Sequence, residues 1–469
     1  MVFRSPFAAV AIPDLPLTDF VLARASEYRD RPALVDGPSG RGITYGELLE
    51  GIRRLAAGLA ARGISKGAVV AIYAPNLPEY AVVFHAVLRL GAVLTTVNPA
   101  YTAQELAFQL QDSGARVLIT TGALLPRAVE AVAAAGMPIE IFTIDRTTEA
   151  ATLDDVALDA DPPAVALDPA DDVAVLPYSS GTTGMPKGVM LTHRNLLANL
   201  VQIDAIETAE IRALVGVLPF FHIYGMVVVM NVGLLRGATC VTLPKFDFET
   251  FLRVLQDWPI ALAHIVPPIA VALGKHPMVD QFDLSRVKWL FSGAAPLGPQ
   301  LTEAVQARLG VRVRQGYGMT EASPATHYTV PGADRPGKIG PLMPCTEGRV
   351  VDPESGKDVG VGQAGEVWVR GPQVMKGYLN NPEATARTVD ADGWLHTGDI
   401  GIVDEDGYLE IVDRLKELIK VKGFQVAPAE LEAVLLKHPN IADAAVIPVV
   451  DGDCGEVPKA FVVAREPMS

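Results

Sequence analysis

Apolar and polar positions follow two rhythms through the first half of the chain. Residues 68–73 (AVVAIY) form an uninterrupted apolar run short enough for a buried strand. Residues 78–90 then carry helical spacing, opening on Pro78 and stopping at Gly91. Residues 92–97 are strand-like again, 104–113 are helical, and 115–120 (ARVLIT) form a further strand. Strands separated by single helices predict a parallel sheet, because a parallel neighbour cannot be reached through a tight turn.

The rhythm breaks over residues 145–172, where Asp, Pro and Thr accumulate and predict a loop or joint. A strand over 172–177 leads into a Gly/Ser/Thr run, and a second strand–helix series continues to about residue 340. Beyond it the pattern changes to short strands with turn signals: GRVVD, GEVWVRG, DGWLHTGD and EDGYLEIVDR. A last segment opens at Leu415 and offers one helix over 428–438 and two strands, AAVIPVV and KAFVVA. The expected class is therefore α/β. A large N-terminal domain over residues 1–414, made of strand–helix subdomains plus a β-rich subdomain, precedes a small α+β C-terminal domain over 415–469. A length of 469 residues agrees, being too great for one compact core.

Composition narrows the partners. A formal net charge of −15 opposes nucleic acid and anionic membrane surfaces, and no basic patch offsets it. Cys240, Cys345 and Cys454 are scattered, with no metal-site spacing, which suits a reducing compartment. The apolar run 226–235 is too short to span a bilayer, and the N-terminus makes a poor signal peptide. The expectation is a cytoplasmic protein acting on small molecules.

The strongest chemical signal is Ser179-Ser180-Gly181-Thr182-Thr183-Gly184-Met185-Pro186-Lys187-Gly188. Glycines admit an anion close to backbone N–H groups, hydroxyls add donors, and Lys187 adds positive charge. This is a polyphosphate cradle, and not a Walker A loop, since Pro186 and Gly188 flank the lysine. Further blocks follow: Phe220-Phe221-His222-Ile223-Tyr224-Gly225, Ser292-Gly293-Ala294-Ala295-Pro296-Leu297 and Gln315-Gly316-Tyr317-Gly318-Met319-Thr320-Glu321. Then come Trp394-Leu395-His396-Thr397-Gly398-Asp399, Asp413-Arg414-Leu415-Lys416-Glu417-Leu418-Ile419-Lys420 and Lys422-Gly423-Phe424-Gln425-Val426.

These blocks, in this order, resemble the adenylate-forming superfamily of acyl- and aryl-CoA synthetases, and most of all the bacterial 4-coumarate–CoA ligase-like enzymes. The resemblance implies an ATP-dependent acid–CoA ligase that uses Mg²⁺, ATP and coenzyme A. It would activate a hydrophobic aryl or acyl carboxylic acid as an acyl-adenylate, releasing pyrophosphate and then AMP. By the same resemblance Gly293, Ala294, Ala295, Pro296 and Tyr317 would hold adenine, within a nucleotide site that includes Gln315, Gly316 and Gly318. Thr320 would touch the α-phosphate and Glu321 would hold Mg²⁺, a hard cation suited to carboxylate and phosphate oxygens. Asp399, assisted by Arg414, would bind the ribose. His222, Tyr224, Phe291, Gly293, Gly316 and Gly318 would line the acid pocket. Lys416 would be the hinge of a rotating C-terminal domain, and Lys420 and Gln425 would face the site after rotation.

Two departures from the family pattern matter. Plant 4-coumarate–CoA ligases often carry Lys at the position of Phe291, where it reaches the phenolic hydroxyl. Without that partner, cinnamate-like, other aryl and medium-chain acids stand level with 4-coumarate. The family also carries a Pro-x-x-x-x-Gly-Lys motif near its C-terminus, and none follows Ala460. The C-terminal domain is therefore expected to be incomplete. Transfer to an acceptor other than CoA, or weakly active nucleotide binding, are the competing expectations.

Overall fold

The computed structural model describes residues 1–179, 186–415, 417–421, 424–426, 428–436, 438, 440–451 and 455–464. The apolar run near residue 70 forms the strand Val69–Tyr73 at the centre of the largest sheet. Val93–Val97 and Ala115–Thr120 flank it in parallel, and Glu140–Thr143 and Ala151–Thr152 extend the sheet. Val70 and Ile72 face one core with the helices Tyr45–Ala61 and Pro78–Arg89. Ala71 and Tyr73 face another, with Ala103–Ser113 and Leu125–Ala135. Burial on both faces explains the absence of polar alternation. Thr44 with Glu47 and Thr102 with Glu105 form capping boxes that start two of these helices.

On the other side of the sheet Val173–Val175 runs parallel to Val93–Val97, and the chain then turns back. Lys187–Thr192 pairs antiparallel with Val173–Val175 and with Tyr178–Ser179, and Gly377–Tyr378 adds to its other part. A second sheet orders Ala213–Gly216, Thr239–Thr242, Pro32–Asp36 and Gly42–Thr44. A third orders Leu262–Ile265, Trp289–Ser292, Arg312–Gly318 and Ala325–Tyr328, the first three parallel. The β-rich region forms an antiparallel sheet of Glu347–Val351, Ala364–Arg370, Leu395–Val403 and Leu409–Arg414, which Phe3–Arg4 joins from the opposite end of the chain.

Three details differ from the sequence expectations. Within 145–172, Leu153–Val156 forms a helical turn whose capping box is Thr152 with Asp155, a signature present in the sequence but short of a helical period. The uniformly apolar stretch after Phe221 is a π-helix, Tyr224–Asn231, continued by Val232–Leu235 and buried all round. The segment after Leu415 holds four strands among the described residues and not two. Ile419–Val421 and Phe424–Val426 pair with each other and join Gly455–Ala464 and Ile441–Asp451. Each added strand is three residues long, too short to show a period. Pro428–Leu435 is the expected helix. No described helix is long and apolar enough to cross a membrane.

Four histidines sit inside these cores. Burial pushes His85 and His327 down to about 3, and His193 and His264 down to about 4. Each is therefore neutral in the folded protein near pH 7, while the unfolded chain begins to protonate them near 6.5. Depressed folded values mean stability that is complete above 6.5 and lost as pH falls toward 4. The expected outcome is an unfolding free energy that falls from pH 7 to pH 5. The slope reaches at most about 1.4 kcal/mol per pH unit for each histidine. Urea unfolding at pH 7, 6 and 5 measures it, and a flat profile contradicts neutral burial.

Candidate active site

Ser180, Gly181, Thr182, Thr183 and Gly184 lie outside the described residues, but both ends of their loop are placed. Ser179 stands opposite Lys187 and Tyr178 opposite Gly188 in an antiparallel pair. Ser179 Oγ donates to Glu321 Oε1 at 2.9 Å, so the strand end before the loop touches the carboxylate that follows the third sheet. Glu321 is buried within the short turn Thr320–Ala322, which begins at Thr320. Tyr378 donates to the same Oε1 at 2.8 Å, and its ring lies 4.3 Å from Lys187 Nζ. The sequence reading missed Tyr378, since a two-residue strand offers no periodicity.

A second cluster forms where the third sheet meets the β-rich one. Tyr317 donates its hydroxyl to Asp399 Oδ2 at 2.6 Å, and Arg414 Nε lies 3.5 Å from Asp399 Oδ1. Asp399 and Arg414 face each other in the antiparallel register. Burial first, and the Glu321 charge among lesser causes, raise the Asp399 carboxyl, while the Tyr317 hydrogen bond and Arg414 oppose the rise.

The 293–296 turn follows the strand Trp289–Ser292 of the third sheet. Gly293 is buried while Ala294, Ala295 and Pro296 are exposed. Ala294 has φ of 70°, a left-handed conformation that costs a non-glycine residue roughly 1–2 kcal/mol. The buried Gln315 amide clamps the end of the turn, accepting from the Leu297 N–H at 3.0 Å and donating to the Leu297 carbonyl at 3.1 Å. Gln315 thus contributes by holding the turn.

The residues expected to line the acid pocket include a cluster of aromatic rings in edge, tilted and stacked contact. Tyr224 is buried and its hydroxyl donates to the Phe291 carbonyl at 3.2 Å, 3.3 Å from His264 Nδ1. Gly293 and Gly316 are required for close approach. A Cβ on Gly293 would sit 2.8 Å from Tyr224 Cε1, and one on Gly316 2.7 Å from Phe291 Cζ. Gly318 lies on the same strand as Gly316. His222 is exposed, and its Nδ1 accepts from the Tyr224 N–H at 3.3 Å. Phe291 stacks on Tyr328 at 4.4 Å.

Behind the rings is an ion pair that the motifs did not indicate. Arg314 Nη1 meets Glu207 Oε2 at 2.8 Å with both side chains fully buried, and Tyr328 donates to the same oxygen at 2.6 Å. Burial would raise the Glu207 carboxyl, but the Arg314 charge and the bonds from Tyr328 and the Ala209 N–H hold it below its ordinary value. The signals were present: Arg314 interrupts a strand beside Phe291, and His264 is the polar residue of an apolar strand.

Lys416 lies outside the described residues. Lys420 and Gln425 are opposite one another in the backbone register of Ile419–Val421 and Phe424–Val426. Among the described residues no group of three or more His, Cys, Asp or Glu could hold a metal. Glu321 still suits Mg²⁺, which commonly takes one or two carboxylates and completes its shell with phosphates and water.

Comparison with known proteins shows the family. The family described as AMP-binding enzyme matches residues 21–379, and the AMP-binding enzyme C-terminal domain matches 430–469. The chain is 45% identical over 480 residues to 4-coumarate–CoA ligase 5 of Oryza sativa subsp. japonica, covering 99% of this chain and 88% of that protein. It is 40% identical over 487 residues to the probable 4-coumarate–CoA ligase 1 of Dictyostelium discoideum, with the same coverage. ATP-bound MatB from Rhodopseudomonas palustris superposes with a TM-score of 0.88 at 32% identity, over 96% of this chain and 89% of that one. The anthranilate CoA ligase AuaEII in complex with anthranoyl-AMP gives a TM-score of 0.88 at 26% identity, over 98% and 89%. Fold and relatives together define an AMP-forming acid–thiol ligase. The chain belongs to the AMP-binding enzyme family.

Breaking the buried pair leaves one charge unpaired, so Arg314→Met is expected to lose roughly 3–5 kcal/mol of stability. The double variant Glu207→Leu/Arg314→Met should lose less than the sum of the two single changes, because neither charge is then orphaned. Urea unfolding of the three variants measures this, and additive losses would contradict a direct pair.

Proposed function

We propose that this enzyme is an ATP-dependent acid–CoA ligase. It activates a hydrophobic aryl or acyl acid, cinnamate-like or medium-chain, through an acyl-adenylate. The observation that carries the reading is the Ser179–Glu321 hydrogen bond, which joins the strand pair carrying Lys187 to the turn carrying Glu321, with Tyr317 bonded to Asp399 and an aromatic cluster against Gly293. Similarity to 4-coumarate–CoA ligases over 99% of the chain supports it.

In this reading the 293–296 turn and the Tyr317 ring hold adenine, and Asp399 with Arg414 holds the ribose. Lys187, the 180–184 loop and Thr320 bind the phosphates. Glu321 would hold Mg²⁺, which when bound neutralises phosphate charge. The acid enters past His222, and the Tyr224 and Phe291 rings line its apolar part. Its carboxylate oxygen bonds to the α-phosphorus, the bond to the bridging oxygen breaks, and pyrophosphate leaves. The chain contributes positioning and charge stabilisation. The C-terminal domain, from about residue 415, then turns at Lys416 and brings Lys420 and Gln425 toward the site. The CoA thiolate attacks the acyl carbonyl and AMP departs.

ATP–pyrophosphate exchange over a panel of aryl and fatty acids tests the first half-reaction, and an assay with CoA as sole acceptor tests the second. Lys187→Ala and Glu321→Ala are each expected to lower exchange at least ~10²-fold, and near-normal exchange in either refutes the assignment.

The wall also bears on the acid. A lysine at position 291 would face the Arg314 guanidinium, which lies 5.5 Å from the Phe291 ring. A neutral hydrogen-bonding group avoids that repulsion. Phe291→Gln is expected to raise kcat/KM for 4-coumarate relative to cinnamate by about 3–10-fold, because it gives the phenolic hydroxyl a partner. An unchanged ratio in a folded variant removes Phe291 from the pocket.

A further inference from the structure

Tyr378 makes two contacts that belong to two different charges. Its hydroxyl donates to Glu321 Oε1, and its ring face meets the Lys187 ammonium. We propose that Tyr378 is a positioning residue for nucleotide activation, aiming the Glu321 carboxylate at the metal position and holding the Lys187 ammonium unneutralised for the phosphates. The proposal rests on the reading of Lys187 and Glu321 given above.

The geometry supports each half. Ser179 and Tyr378 both donate to Oε1, at 2.9 and 2.8 Å, and among the described residues no donor reaches Oε2. Two bonds on one oxygen fix the carboxylate plane and leave the other oxygen to act as a ligand. Among the described residues no carboxylate pairs with Lys187, whose amine rests on the Tyr378 ring. A cation on an aromatic face keeps its full charge, whereas one paired with a carboxylate must first break that pair. One neutral side chain thus engages both charges.

The backbone places Tyr378 between the two elements that it serves. Met375 N–H bonds to the Glu321 carbonyl at 2.8 Å. Lys376 N–H bonds to the Met190 carbonyl at 3.0 Å, and Leu379 N–H to the Gly188 carbonyl at 2.8 Å. Residues 375–379 therefore tie the strand carrying Lys187 to the turn carrying Glu321. The Tyr378 N–H is bonded to Thr385 Oγ1 at 2.9 Å, which fixes the residue itself.

The test separates the hydroxyl from the ring. Mn²⁺ binding is measured by electron paramagnetic resonance on the complex with α,β-methylene-ATP, for the wild type, Tyr378→Phe, Tyr378→Leu and Glu321→Ala. Tyr378→Phe keeps the ring and is expected to raise the Mn²⁺ Kd about tenfold, the size of one lost hydrogen bond to a charged group. Its KM for ATP in exchange at saturating Mg²⁺ should stay within about twofold, since the ring beneath Lys187 is kept. Tyr378→Leu should raise the Mn²⁺ Kd and also raise the ATP KM at least about fivefold. If the leucine variant does not fold, the phenylalanine variant, which fills the same space, decides alone. An unchanged Mn²⁺ Kd in Tyr378→Phe, with Glu321→Ala abolishing binding, overturns the role of Tyr378 only. Unchanged binding in Glu321→Ala overturns the metal position and the proposal with it.

Discussion

A guanidinium and a carboxylate that are both fully buried cannot be left apart, and the Arg314–Glu207 pair imposes that constraint on the middle of this molecule. Glu207 follows the helix His193–Ile206, whereas Arg314 belongs to the third sheet. Pairing them sets the distance between helix and sheet. Tyr328 joins the same carboxylate from the sheet's last strand, which fixes its ring, and Phe291 stacks on that ring. The wall of the proposed acid pocket is therefore referenced to a charge pair behind it. Its rings are placed by more than apolar contact, which alone is non-directional.

The proposed nucleotide half is organised differently, because no single sheet supplies it. Lys187 and Ser179 come from the first sheet, Glu321 from the turn after the third, and Asp399 from the β-rich sheet. Burial above all raises the Asp399 carboxyl, with the Glu417 and Glu321 charges adding to it. Asp399 and Glu321 are each met by a neutral tyrosine hydroxyl, Tyr317 on Asp399 and Tyr378 on Glu321. A neutral donor stabilises a carboxylate without cancelling its charge; Asp399 is also met by Arg414 at 3.5 Å, whereas among the described residues no cation pairs with Glu321. A carboxylate matched to an arginine on both oxygens would have less left to offer.

What the sequence disclosed and what it hid follow from the range of the forces involved. The strands Val69–Tyr73 and Ala115–Thr120 and the helix Pro78–Arg89 were legible because periodicity is local. Lys187, Glu321, Tyr317 and Asp399 were legible because they sit in ordered blocks. Tyr378, Glu207, Tyr328 and His264 were not, since each acts through a partner between 40 and 121 positions away. Tyr328 reaches Glu207 across 121 positions, and Tyr378 reaches Glu321 across 57. The strands Ile419–Val421 and Phe424–Val426 escaped for another reason, three residues being too few for alternation to declare itself.

The 293–296 turn shows how the two halves are kept in register. Ala294 is held in a conformation unfavourable by roughly 1–2 kcal/mol, and such strain persists only where the surroundings over-determine it. Two hydrogen bonds from the buried Gln315 to Leu297 close one end of the turn. Tyr224 against Gly293 closes the other. The Tyr224 ring is presented by a π-helix, a geometry that widens the turn and often marks functional sites. The same ring bonds to the Phe291 carbonyl, so the floor of the turn and the wall of the pocket share one residue. A displacement of the acid wall therefore moves Gly293 as well. In the proposed reaction the acid carboxylate and the nucleotide would share this frame, as an in-line attack between two bound substrates requires.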